Sequence, residues 1–226
     1  METTIFEDQI LFQKSRLLCQ SQFGRQPYII EMSVHSAGIS LMFSGLIDFE
    51  DQRIPDDIDK QYLHVFILLE QFISPILSKR IAKIFHKDID HVFIDWQKRN
   101  NTAHLTFLFK DWQMALSYER YEGREQLHNE ISRLTNKIEK RPFTVQSLWI
   151  NPTRLLVIRT GLLIYLEKKS RLSRSLQSLR ISKRKVELEY FKQKITYPQF
   201  VQQSLQSAYL DWTFDCNMSV LILQFN

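Results

Sequence analysis

The spacing of apolar and polar positions changes several times along the chain, and each change marks an element. A helix is expected over residues 4–22, opened by Thr4-x-x-Glu7 as a capping box and stopped at Gly24. Two alternating stretches follow, Tyr28–Val34 and Ile39–Ser44, with the turn formers Ser36, Ala37 and Gly38 between them, so they read as a hairpin. A long helix over residues 58–86 should be kinked or divided by Pro75. A second strand pair is expected at Ile89–Trp96 and Ala103–Phe109.

The same order then returns. Leu127, Ile131, Leu134 and Ile138 form one face of a helix. Strands are expected at Phe143–Ile150 and Leu155–Thr160, joined through Asn151, Pro152 and Thr153. A helix over residues 169–206, interrupted by Pro198, precedes strands at Tyr209–Phe214 and Met218–Phe225. Landmarks keep their spacing: Pro27 and Pro142 are 115 residues apart, whereas Gly45 and Gly161, Asp95 and Asp211, and Trp96 and Trp212 are each 116 apart. A self-match that holds its offset over the length of the unit indicates an internal duplication. The expected fold is α+β, a tandem duplication of an α-β-β-α-β-β unit with antiparallel hairpins packed on long helices. The first copy spans residues 1–110, a linker 111–123 and the second copy 124–226.

Composition narrows the function classes. The chain has 226 residues, 44% of them hydrophobic, which is ample for packed cores. With only five glycines, it contains neither G-x-G-x-x-G nor G-x-x-x-x-G-K-[ST], so no phosphate-cradling loop is indicated. Cys19 and Cys216 lie in no metal-binding spacing and read as free thiols of a reducing cytoplasm. Glu2, Glu7 and Asp8 do not suit a secretory leader. The most apolar stretch, residues 62–77, is broken by His64, Glu70, Gln71 and Pro75 and reads as a buried helix, with His64 as a core histidine.

The net charge of +5 is unevenly placed. Residues 168–194 hold ten basic residues against Glu187 and Glu189, a local +8, which leaves −3 for the remainder. The corresponding first-copy segment, residues 51–78, is −3. Two copies with helices of opposite sign suit a homodimer or two different partners. Lys168, Lys169, Arg171, Arg174, Arg180, Lys183, Arg184 and Lys185 are the candidate partner-binding residues, facing an acidic protein, an anionic membrane surface or nucleic acid. Nucleic acid is the weaker fit, because Tyr190 and Phe191 are the only aromatic residues in the block and no RNA-binding motif occurs.

The order G-R-x-P, a hairpin closing in F-x-G-L, a glutamate, a long helix and a final V-x-I-D strand resembles the family of the Na+-translocating membrane potential-generating system protein MpsC, met twice. Gly24, Arg25, Pro27, Gly45, Leu46, Glu50, Val92 and Asp95 carry it in the first copy. Arg141, Pro142, Gly161, Leu162, Glu167 and Asp211 carry it in the second, and the two matches cover nearly the whole chain. The resemblance implies a non-enzymatic cytoplasmic accessory subunit, peripheral to the inner face of the cell membrane. Its partners would be the transport subunits of a system moving sodium and supplying bicarbonate. It supplies no catalytic residue and no cofactor.

The residues themselves offer few reactive sets. His86, Asp88, Asp90, His91 and Asp95 are metal-ligand types, but in a strand they divide between two faces, so they read as turn and strand-edge residues. Asp95 and Asp211, each beside a tryptophan, read as backbone-bonding carboxylates rather than an acid–base pair. Glu50 and Glu167 are expected at the N-terminus of each long helix, favoured by its dipole. A nucleic-acid-binding or small-anion-binding regulatory role stands as the alternative, and His91 or Asp95 would be first choices were the chain an enzyme acting on bicarbonate.

Overall fold

A computed structural model of the chain describes residues 2–163, 176–195 and 204–226. The chain divides into two compact units, Met1–Trp112 and Gln113–Asn226. The first unit contains α1 (Glu2–Phe23), β1 (Ile29–His35), β2 (Gly38–Ser44), α2 (Ile58–Leu68), α3 (Ser74–Phe85), β3 (Ile89–Gln97) and β4 (Thr102–Phe109). The second contains α5 (Arg124–Ile138), β5 (Thr144–Asn151), β6 (Arg154–Thr160), α6 (Leu176–Lys194), β7 (Leu205–Thr213) and β8 (Met218–Phe225). The short helix α4 (Trp112–Ser117) lies within the expected linker.

Each copy builds its own four-stranded antiparallel sheet, with strand orders β1-β2-β4-β3 and β5-β6-β8-β7. The fold is α+β, a doubled unit of hairpins packed on helices. In the first unit α2 and α3 pack on β3, and α1 packs on α3. In the second, α5 packs on β5, and α6 packs on β7 and α5. The predicted stripe of α5 faces inward, with Leu127, Ile131 and Leu134 at most 1% exposed. Burying each such side chain contributes about 1.5–3 kcal/mol.

The duplication extends to backbone detail. Asn101 and Asn217 both adopt φ 51°. Each accepts from the glycine that ends the first hairpin: Gly45 N–H to the Asn101 carbonyl and Gly161 N–H to the Asn217 carbonyl, both at 2.9 Å. Their side-chain oxygens accept from Ile47 N–H at 3.2 Å and Leu163 N–H at 2.7 Å. Gly45 and Gly161 have φ +70° and +76°, and a Cβ on either would lie 2.2 Å from the ring of Tyr28 or Phe143. Arg25 and Lys140 stand over those rings at 4.5 Å, the same cation–aromatic–glycine stack in both copies. Both closing hairpins also slip register at matching places, between Ile89 and His91 and between Leu205 and Ser207.

Several expectations need correction. Helix α1 begins at Glu2, so Thr4 lies inside it rather than at its N-cap. Pro75 divides the long helix, but through a π-helical turn at Leu69–Ile73 just before it. A wider turn there accommodates a residue that cannot donate an N–H. Glu50 is not at a helix start: it sits in an exposed turn, donating its N–H to Asp48 Oδ1 at 3.1 Å. Helix α2 begins at Ile58, capped by Asp57, whose carboxylate accepts from Lys60 N–H at 2.9 Å. The second long helix does not reach residue 206, because strand β7 already begins at Leu205, which pairs with Phe225. Glu167 and Pro198 lie outside the described residues.

Candidate functional site

The polar groups of the second unit converge on one face of α6. Arg180, Lys183 and Glu187 are spaced three and four apart, so they share that face. Arg180 forks onto Asp211 of β7, with Nε to Oδ1 at 2.6 Å and Nη2 to Oδ2 at 2.5 Å. Lys183 Nζ reaches Glu139 Oε2 at 2.5 Å, just past the end of α5, and stands 4.4 Å over the Trp212 ring. Glu187 pairs with Arg159 of β6 and also accepts from Trp212 Nε1 at 3.0 Å. Arg159 and Glu187 are 0% and 1% exposed at their side chains. Arg159 also donates to Thr135 Oγ1 at 3.0 Å and faces the Phe191 ring at 5.3 Å.

Three cations and three carboxylates are thus matched inside one unit. The first copy has Phe43 where the second has Arg159, fully buried in both cases. Asp95, the counterpart of Asp211, accepts from Tyr62 Oη at 3.0 Å. Both aspartates sit in mid-strand beside a buried tryptophan, and Asp211 also accepts from Trp212 N–H at 2.7 Å. The duplicated carboxylate has been kept, with a phenol donating to it in one copy and a guanidinium in the other.

This arrangement places the sequence-predicted basic residues in three groups. Arg180 and Lys183 point inward and are paired. Arg184 and Lys185 lie on the more exposed side of α6. Lys168, Lys169, Arg171 and Arg174 lie outside the described residues. A cation count along a helix does not reveal which side faces the sheet. A cation within the apolar run Leu155–Thr160 was the available signal, since a buried Arg159 requires a buried anion.

A second polar cluster went unread in the sequence. Ser147 of β5, fully buried, lies 2.5 Å from Tyr121 Oη and 2.6 Å from His128 Nε2. Burial, with Arg124 adding repulsion, lowers His128 to about 4, and burial raises the Tyr121 phenol. Tyr121 also lines a cleft of about 530 Å³ with Arg120, Gly123 and Arg124. The contacting residues are 19 to 26 positions apart, so no local motif announces them.

The residues His86–Asp95 gather only as one neighbouring pair, His91 Nε2 and Asp90 Oδ2 at 3.2 Å, brought together where the strand slips register rather than divided between its faces. Asp88 pairs with Lys110 at 2.9 Å, Asp90 accepts from Trp112 Nε1 at 3.2 Å, and Asp95 meets Tyr62. Among the described residues no three His, Cys, Asp or Glu side chains could hold a metal ion together. His64 is only half-buried. Among the described residues no helix is long and apolar enough to cross a membrane.

Two histidines make stability pH-dependent. Burial lowers His35 to about 3, where its Nε2 lies 3.2 Å from Ser40 Oγ, and lowers His128 to about 4, against an ordinary 6.5. Both are neutral in the fold and protonate more readily once unfolded, so stability falls as pH drops from 6.5 toward the folded values. The loss is at most about 1.4 kcal/mol per pH unit for each histidine. Urea titrations at pH 6.5 and about pH 5 should show this loss and show it flattened in His35→Asn/His128→Asn. An unchanged slope in the double variant would assign it to other groups.

Comparison with protein-family models, with curated proteins and with solved structures yields no match.

Proposed function

We propose that the chain is a non-enzymatic accessory or regulatory subunit of a membrane cation (Na+) and bicarbonate transport system, placed in the cytoplasm at the inner face of the membrane. One observation carries the reading. The groups that the two copies share are spent on their own architecture: the aromatic–glycine stack, the asparagine at φ 51° and the buried Asp-Trp pair. The chemistry-bearing groups differ between copies, with Tyr62–Asp95 in one and Arg180–Asp211 in the other. A doubled scaffold with divergent decoration suits a protein that meets partners better than one that repeats a reaction. The motif resemblance in both copies supplies the setting.

The test is affinity purification of the full chain from native membranes. Integral subunits of a sodium or bicarbonate transporter should co-purify, and Lys168→Glu/Lys169→Glu/Arg171→Glu/Arg174→Glu should cut their recovery at least about tenfold, as expected when a steering charge patch is reversed. Arg180 and Lys183 are left intact because each is engaged with a carboxylate of its own fold. Recovery of no transport subunit would sink the reading.

The cleft beside Arg120 and Arg124 favours small-anion binding as a second reading. Bicarbonate or phosphate should then raise the melting temperature of the chain, and Arg124→Gln should abolish that shift. Nucleic acid gains less support, because Arg180 and Lys183 are committed to carboxylates and are unavailable to phosphates.

A further inference from the structure

Between Glu70 and Asp88 the chain contains no acidic residue and four lysines or arginines. The inward side of this stretch is fixed by Ile73, Leu77 and Ile81, all 0% exposed. Its outward side presents Phe72, Pro75, Ile76, Lys79, Arg80 and Lys83, all exposed. Those positions advance by three or four residues per turn and form one continuous face. Phe72 and Ile76 stand 46% and 39% exposed at its N-terminal end, and the three cations occupy its C-terminal end. Lys79, Arg80 and Lys83 enter no ion pair among the described residues, unlike the inward cations of α6.

We infer that this face of the first unit docks on an anionic lipid surface. A single helix is convex, so its protruding phenylalanine and isoleucine need either a matching groove or a fluid interface that closes around them. Unpaired lysine and arginine on the same face select the interface, because their aliphatic stems lie along the acyl boundary while the charges remain among anionic headgroups. With no carboxylate on the face, nothing opposes that approach. The segment is too short to span a bilayer and has its other side committed to a core, so it lies on the surface. The inference deepens the accessory-subunit reading, on which its biological setting rests, and moves the lipid contact from the second copy's basic block to the first copy's divided helix.

The experiment is vesicle flotation of the purified full chain. Binding is expected to phosphatidylcholine vesicles containing phosphatidylglycerol, with loss at high salt and on phosphatidylcholine alone. Lys79→Gln/Arg80→Gln/Lys83→Gln should weaken partitioning about a hundredfold, since each cation contributes roughly fivefold. Phe72→Ser/Ile76→Ser should weaken it while retaining the salt dependence. All five side chains are outward, so an unchanged circular dichroism melt certifies that each variant folds. Equal partitioning of the charge variant and the parent overturns the inference, as does absence of the parent from anionic vesicles. Vesicle binding lost with transport subunits still co-purifying removes the lipid face alone, whereas vesicle binding without those subunits removes the transport setting alone. Retention of an acidic protein through Lys79–Lys83 by a chain that ignores vesicles likewise overturns the lipid assignment.

Discussion

Arg159→Ala is expected to destabilise the second unit by about 3–5 kcal/mol, enough to consume much of the stability of a small domain. The loss exceeds that of the pair itself. Removing the guanidinium leaves Glu187, 1% exposed at its side chain, as an unmatched buried carboxylate, and vacates the space between Phe191 and Trp212. Glu187→Ala should cost a similar amount, since it orphans both Arg159 and Trp212 Nε1. The decisive variant is Arg159→Met/Glu187→Gln, which removes both charges and keeps an acceptor for the indole. It should recover most of the stability, because well-packed apolar groups often equal a buried ion pair. Urea unfolding of the parent, Arg159→Met, Glu187→Gln and the double variant forms a double-mutant cycle. If the double variant is as unstable as the sum of the single ones, the pair does not act as a unit.

Gly38→Ala is expected to be the most damaging glycine substitution, at about 3 kcal/mol. A Cβ there would lie 2.0 Å from the Phe107 carbonyl oxygen and 3.1 Å from Leu108 Cα, so the obstacle is backbone of the neighbouring strand. Gly38 opposes Leu108 where β2 and β4 pair, and those strands would have to part at the hairpin end. Gly45→Ala should cost less, about 1–2 kcal/mol from the positive φ, because the Tyr28 ring in the way can rotate aside. Gly161→Ala should fall between the two, because the new Cβ would also lie 2.8 Å from Phe143 Cβ, which no rotation moves. Gly24→Ala meets only the tip of Arg53 and should cost least. Thermal melts of the four variants test this order. Should Gly24→Ala match Gly38→Ala, backbone conformation rather than close approach governs these sites.

Much of the fold is legible in the sequence because the repeat supplies each element twice. The strands lie within about one to four residues of their expected positions, since alternation and turn residues such as Asn151, Pro152 and Thr153 are local signals. Helix ends are less legible. Glu50 looks like a helix start because it follows Gly45, but the chain first makes an irregular passage to Asp57, whose side chain provides the cap. The π turn before Pro75 is a local response to a missing N–H, and its side of the residue is not dictated by composition.

The polar sites were the least legible. Every contact that defines them joins residues distant in sequence: Arg180 with Asp211, Lys183 with Glu139, and Tyr121 and His128 with Ser147. A block of positive charge is a sum over a helix, whereas pairing depends on which third of its circumference meets the sheet. The face at Lys79–Lys83 escapes the charge comparison for a simpler reason, because the first-copy segment, residues 51–78, stops just short of it.

The exchange of Phe43 for Arg159 sets different evolutionary freedoms for the two halves of the gene. At Phe43 a neighbouring lineage can try leucine or isoleucine one codon at a time, each step bearable. At Arg159 no single replacement is neutral until residue 187 has also changed, so paths out of the charged state pass through a poorly folded intermediate. The ionic half is therefore the more conservative heir of the ancestral doubling at these two codons, and sequences that have escaped should differ at both together.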